Sequence, residues 1–119
     1  MKTHKDLDVW RKSIDMVTEI YGLTKSFPKE EIYGITNQIR RSAISIPSNI
    51  AEGAGRNHKK EFKQFLHISL GSLTELQTQL IISRNIGYLN DEVYKNLNNK
   101  LDDIGMMISG LIRYINRNS

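Results

Sequence analysis

A chain of 119 residues, 39% hydrophobic and 25% charged, carries enough apolar material to bury a core and is too hydrophobic to stay disordered. It contains no cysteine, which excludes a disulfide framework, a thiol nucleophile and a thiolate metal site. The formal net charge is +4, and residues 1–60 hold all of the excess, with 11 Lys and Arg against 7 Asp and Glu, while residues 61–119 hold 6 of each.

Such a bias is compatible with nucleic acid or an anionic surface as partner, and equally with ordinary solubilising charge. No apolar run is long enough to cross a bilayer, and Met1 to Trp10 has no apolar signal core. The expectation is a cytoplasmic protein with no membrane contact, residues 1–119 forming one domain.

Helical periodicity dominates from the start. In the first segment Val9, Ser13, Met16, Ile20, Leu23 and Phe27 alternate spacings of four and three, with Trp10, Ile14, Val17 and Tyr21 beside them. Arg11, Asp15, Thr18, Gly22 and Lys25 form the wet side. An apolar face about half the helix wide predicts contact with more than one neighbouring helix. Pro28 ends this helix or starts the next, and Glu30 and Glu31 suit the positive end of a second helix.

Segment two carries Ile32, Ile35, Ile39, Ala43, Ile46 and Ile50. Pro47 sits inside the pattern, where it removes a backbone donor and bends the helix without ending it. Gly53-Ala54-Gly55 supplies the stop. Asn57 is an N-cap for segment three, whose seam is Phe62, Leu66, Ser69, Leu73, Leu76 and Leu80. Gly87 caps its end. Asn90 with Asp91 and Glu92 starts segment four, which reads Tyr94, Leu97, Leu101, Ile104, Ile108, Leu111 and Ile115 in an unbroken seam.

No strand-like alternation is present. Short connections predict antiparallel neighbours, hence an all-α, up-down-up-down four-helix bundle. Helices three and four run roughly 25–30 residues, about 40 Å each, so the bundle is a rod. Ile44, Ile68, Ile81, Ile82, Met107 and Ile112 lie off the main seams, and this surplus predicts a homo-oligomer.

Chemistry was sought in the polar residues. Di-metal bundles use Glu-x-x-His pairs, and none precedes His4, His58 or His67. The pair His58 and Glu61 reads as a solvated first turn. Gly53-Ala54-Gly55 follows a helix and lacks the Lys-Ser/Thr ending of a phosphate loop. No serine has a base and an orienting acid fixed by spacing. The chain is therefore expected to be no enzyme, with no metal and no cofactor.

Two polar sets remain. On segment two, Arg41, Ser45, Ser48 and Glu52 fall on one face, flanked by Gln38 and Asn49; the stripe is either a binding face for phosphate or RNA or an intersubunit hydrogen-bond network. Glu52 can pair with Arg56 at i,i+4 or with an arginine of another subunit. On segment three, Ser72, Glu75 and Gln79 suit hydrogen-bonded helix packing. The basic cluster Arg56, His58, Lys59, Lys60 and Lys63, with Arg40 and Arg41 as extensions, is a candidate RNA- or DNA-binding surface. Free backbone N–H groups at the start of segment three would add to it. Little aromatic character is interleaved, so base stacking is not expected.

Asp8-Val9-Trp10, Phe27 through Gly34, Gln38 through Ala43, Ser45-Ile46-Pro47-Ser48-Asn49-Ile50-Ala51-Glu52-Gly53, Glu61-Phe62, Phe65-Leu66 and Gly71 through Leu76 together resemble the "four helix bundle protein" family, also called the 23S rRNA intervening-sequence protein family. The resemblance covers nearly the whole chain. It implies a bacterial protein with relatives encoded inside insertions in large-subunit rRNA genes. It also implies a homopentamer, barrel-shaped around a central channel. A similar fold serves diversity-generating retroelements, where nucleic-acid binding is implied. The family carries no catalytic residues that could be transferred. The two functional expectations are a nucleic-acid-binding oligomer and a scaffold that binds no nucleic acid.

Overall fold

The computed structural model describes residues 3–118. It contains four α-helices: α1 (Asp8–Thr24), α2 (Ile35–Gly55), α3 (Lys59–Asn85) and α4 (Asp91–Arg117). Single 3-10 turns lie at His4–Asp6 and Lys29–Glu31. No strand occurs among the described residues. Helices α3 and α4 have 27 residues each, about 40 Å at ~1.5 Å per residue. They run most of the longest extent of a 46 × 24 × 19 Å particle.

Each helix packs on its neighbours in sequence, and α1 also closes on α4. Four helices around one core is consistent with a bundle. Hydrogen bonds record the pairing: Ser69 Oγ donates to the carbonyl of Ile46 at 2.9 Å, Gln77 Nε2 donates to Asp102 Oδ1 at 2.8 Å, and Lys63 Nζ donates to Asn116 Oδ1 at 2.8 Å.

The seams read from the sequence form the core. Ile20, Ile39, Ile46, Ile50, Leu66, Leu76, Leu80, Leu97, Leu101 and Ile108 are fully buried. Helix α2 runs unbroken through Pro47, with Ile46 and Ile50 buried on either side of it. One surplus residue was misread: Ile112 is buried, and Leu111 is the partly buried neighbour. By contrast, Ile44, Ile68, Ile81 and Ile82 are exposed.

Helix ends with local cap chemistry form as their residues predict. Asn90 Oδ1 accepts from the Val93 N–H at 2.8 Å. Gly87, at φ +88°, follows α3; its N–H donates to Arg84 O and the Tyr88 N–H to Ser83 O, the paired bonds of a Schellman ending. Asn57 is not the N-cap of α3. That position is His58, and its side chain makes no capping bond. Replacing Asn90 with alanine should cost about 1 kcal/mol, a fall of roughly 4 °C in midpoint for a chain of this size, measurable by circular dichroism at fixed protein concentration.

Segment two starts later than its apolar pattern. Glu30 and Glu31 lie in a 3-10 turn, α2 begins at Ile35, and Ile32 is exposed. Tertiary contacts hold this turn out of the helix. Phe27 packs on Tyr88 with ring centroids 5.3 Å apart, and the Tyr88 hydroxyl donates to Glu31 Oε2 at 2.8 Å. That hydrogen bond, with burial and the charges of Glu31 and Glu30, raises the Tyr88 pKa above its ordinary value. The other Glu31 oxygen reaches Gly34, where an added Cβ would meet it at 2.5 Å.

Candidate functional site

The basic cluster is built at one end of the molecule. Helix α2 ends at Gly55, a two-residue turn and His58 follow, and α3 starts at Lys59. The turn is tight because α2 and α3 approach closely at Gly53, where an added Cβ would lie 2.7 Å from Phe65 Cβ. His58 gives no side-chain cap, so the first N–H groups of α3 lack a capping side chain and the positive helix end faces outward.

The end of α4 joins this corner. Lys59 Nζ donates to the carbonyl of Asn118 and Lys63 Nζ to Asn116 Oδ1. Arg117 lies in the last turn of α4, the helix whose end meets Lys59 and Lys63. Sequence reading missed it. The signal was available: folding α3 back on α4 about the 86–90 link sets the start of one helix against the end of the other.

The cations of this corner differ in freedom. Arg56 Nη2 pairs with Glu52 Oε1 at 3.0 Å and its guanidinium lies 5.2 Å from the Phe65 ring centre. Both partners of that ion pair are about half exposed, so it contributes little to stability. Lys59 is held by a carbonyl. Lys60 is exposed and forms no ion pair among the described residues.

Arg40 and Arg41 do not belong to this corner. They lie about 24 and 22 Å from Arg56 along α2, at ~1.5 Å per residue. Arg40 is turned onto α1: Nε donates to Thr24 Oγ1 at 2.9 Å and the guanidinium stacks 4.6 Å from the Tyr21 ring centre. Arg41 is exposed.

The polar sets of α2 and α3 meet each other. Ser72 Oγ donates to Ser45 Oγ, and Asn49 Nδ2 donates to the same oxygen, both at 2.8 Å. Glu75 Oε1 accepts from Ser42 Oγ at 2.9 Å and from Gln79 Nε2 at 3.2 Å. Ser72 and Glu75 thus bond across to α2, as read for hydrogen-bonded helix packing, whereas Gln79 bonds Glu75 on its own helix. Ser42, the partner across the groove, was missed, although it sits three residues before Ser45. Gln38, Ser48 and Glu52 are exposed. Gln79 Oε1 is buried without a partner.

No cluster of three or more His, Asp or Glu side chains that could hold a metal ion occurs among the described residues, and none of their helices is long and apolar enough to cross a membrane.

Residues 5–110 match the family model described as 23S rRNA-intervening sequence protein. Among solved structures, the chain is similar to a crystal structure from Bacteroides thetaiotaomicron VPI-5482, described as a protein with unknown function from the S23 ribosomal protein family. The TM-score is 0.81 at 27% sequence identity, covering 87% of this chain and 97% of that one. A comparison with curated proteins gives no match.

Proposed function

We propose, from the premise that this chain belongs to the 23S rRNA-intervening sequence protein family, that it is a non-enzymatic, cytoplasmic nucleic-acid-binding protein. In this reading it is one antiparallel up-down bundle that assembles as a closed homo-oligomer, a pentamer by the family resemblance. The corner formed by Arg56, Lys59, Lys60, Lys63 and Arg117 contacts RNA or DNA phosphate.

The observation that carries the reading is the convergence of cations from three helix ends at a helix start with no side-chain cap. Charged side chains and free N–H groups of this kind bind phosphate without reading sequence. Phe65, the ring against this cluster, is covered by the Arg56 guanidinium, so contacts are mainly to the backbone of the nucleic acid. Repetition of the corner around a ring multiplies a modest charge per chain and adds avidity for a long polyanion. Filter binding against rRNA fragments and duplex DNA should show retention at low salt that fades as salt rises. Absence of binding at low salt overturns the reading and leaves the scaffold.

Assembly is supported by exposed apolar side chains on all four helices, among them Ile14, Ile44, Ile68, Ile81, Ile82 and Met106, which partner subunits would cover. Light scattering coupled to size exclusion is expected to give a mass near five times the 13.7 kDa chain. A monomeric mass at micromolar concentration removes the ring.

A further inference from the structure

A second cationic site lies at the opposite end of α2 from the basic corner. The end of α1, the turn after it and the start of α2 enclose a cleft of about 310 Å³, the low end of the usual ~300–1,000 Å³ for ligand pockets and so suited to a small group. Lys25, Lys29 and Arg40 line it together with Phe27 and Ile32. No carboxylate among the described residues pairs with any of these three cations. Glu30 and Glu31, the nearest acids in sequence, lie outside the lining, and Glu31 is engaged by Tyr88.

Thr36 also lines this cleft and is 2% exposed, yet its hydroxyl has no hydrogen-bond partner. A buried hydroxyl is ordinarily satisfied, so this one is a donor without an acceptor in the chain. Arg40 is held for the same task. Its Nε is spent on Thr24 and its face on Tyr21, which fixes the plane of the guanidinium and leaves its terminal nitrogens for an acceptor. The N-cap of α2 is Gly34, without a capping side chain. Glu31 at Gly34 offsets part of that helix-end charge, so the side-chain cations supply most of the attraction.

We propose that this cleft is a binding site for a phosphoryl anion, with Arg40 and the Thr36 hydroxyl donating to its oxygens and Lys25 and Lys29 neutralising its charge. The phosphoryl group belongs either to free phosphate or to a nucleic-acid backbone. The site does not depend on the basic corner formed by Lys59 and Lys60.

The test is a titration of the full-length protein with inorganic phosphate, followed by two-dimensional NMR, against sodium chloride at matched ionic strength. Phosphate should shift the signals of Thr36 and the Arg40 guanidinium, and chloride should not. Thr36→Val keeps the shape and removes the hydroxyl, so it should fold normally and weaken phosphate by roughly tenfold or more, as loss of a hydrogen bond to a charged group does. Lys29→Gln should weaken it as well without touching the core. Equal shifts with chloride, or unchanged affinity in Thr36→Val, overturn the site. A short oligonucleotide that shifts the same signals and competes with phosphate identifies the backbone as the source. An oligonucleotide that leaves them still identifies free phosphate. Failure of Lys59 and Lys60 to bind an oligonucleotide leaves the phosphate result standing.

Discussion

Replacing Gly53 with alanine is expected to lower the thermal midpoint by up to roughly 8 °C, from about 1–3 kcal/mol of overpacking less about 1 kcal/mol of helix propensity. The added Cβ would stand 2.7 Å from Phe65 Cβ, 3.0 Å from Phe62 Cδ1 and 3.3 Å from the Phe62 carbonyl oxygen. The closest of these atoms and the carbonyl are attached to the α3 backbone, so relief requires α2 and α3 to separate. Alanine is a better helix former than glycine by about 1 kcal/mol, and the net loss is smaller than the clash by that amount. Gly55→Ala is the matched control. It lies two residues further along α2, where an added Cβ meets nothing within 4 Å, and its midpoint should stay level or rise. Denaturation followed by circular dichroism at one protein concentration makes the comparison, because an oligomer's midpoint moves with concentration. A midpoint raised as far as that of Gly55→Ala would show that the α2–α3 contact yields without cost.

Raising salt from 50 to 200 mM should weaken nucleic-acid binding about a hundredfold if Arg56, Lys59, Lys60 and Lys63 each neutralise one phosphate, since the log–log slope is about −0.7 to −0.9 per phosphate. Changing Lys59 and Lys60 together to alanine should weaken binding to all sequences alike and make the slope shallower by about 1.4–1.8. The two lysines are not equivalent. Lys59 is committed to the Asn118 carbonyl, whereas Lys60 has no ion pair among the described residues. Lys60→Ala is therefore expected to cost more than Lys59→Ala. Arg41→Ala should cost less than either, because it sits about 22 Å along α2 from Arg56. A slope unchanged in the double variant would place the contacts elsewhere on the surface.

Much of the fold was legible because its determinants are local. The seam Leu97, Leu101, Ile104, Ile108 is a periodic pattern, and every one of these residues is buried. Asn90 and Gly87 act through their own backbone neighbourhood, and both do what their chemistry predicts. Pro47 was correctly placed inside α2 because the isoleucine pattern continues on both sides of it. The basic cluster after Gly55 was legible as composition, since its residues are contiguous.

What the chain could not announce were contacts between residues far apart in sequence. Tyr88 draws Glu31 into a turn that the apolar pattern would have made helix. Thr24 is buried, and its hydroxyl takes a hydrogen bond from Arg40 and so removes that arginine from the basic patch. Arg117 becomes a candidate for the corner only because α4 ends beside the start of α3. Thr36 keeps an unpaired hydroxyl inside the protein, and Gln79, expected in hydrogen-bonded helix packing, keeps an unpaired Oε1 there. Amphipathic pattern and capping depend on residues within about one turn of each other, so they survive in the one-dimensional string. Pairing across helices depends on register and rotation, which are set by how whole side-chain surfaces interlock, and only the tertiary structure decides them.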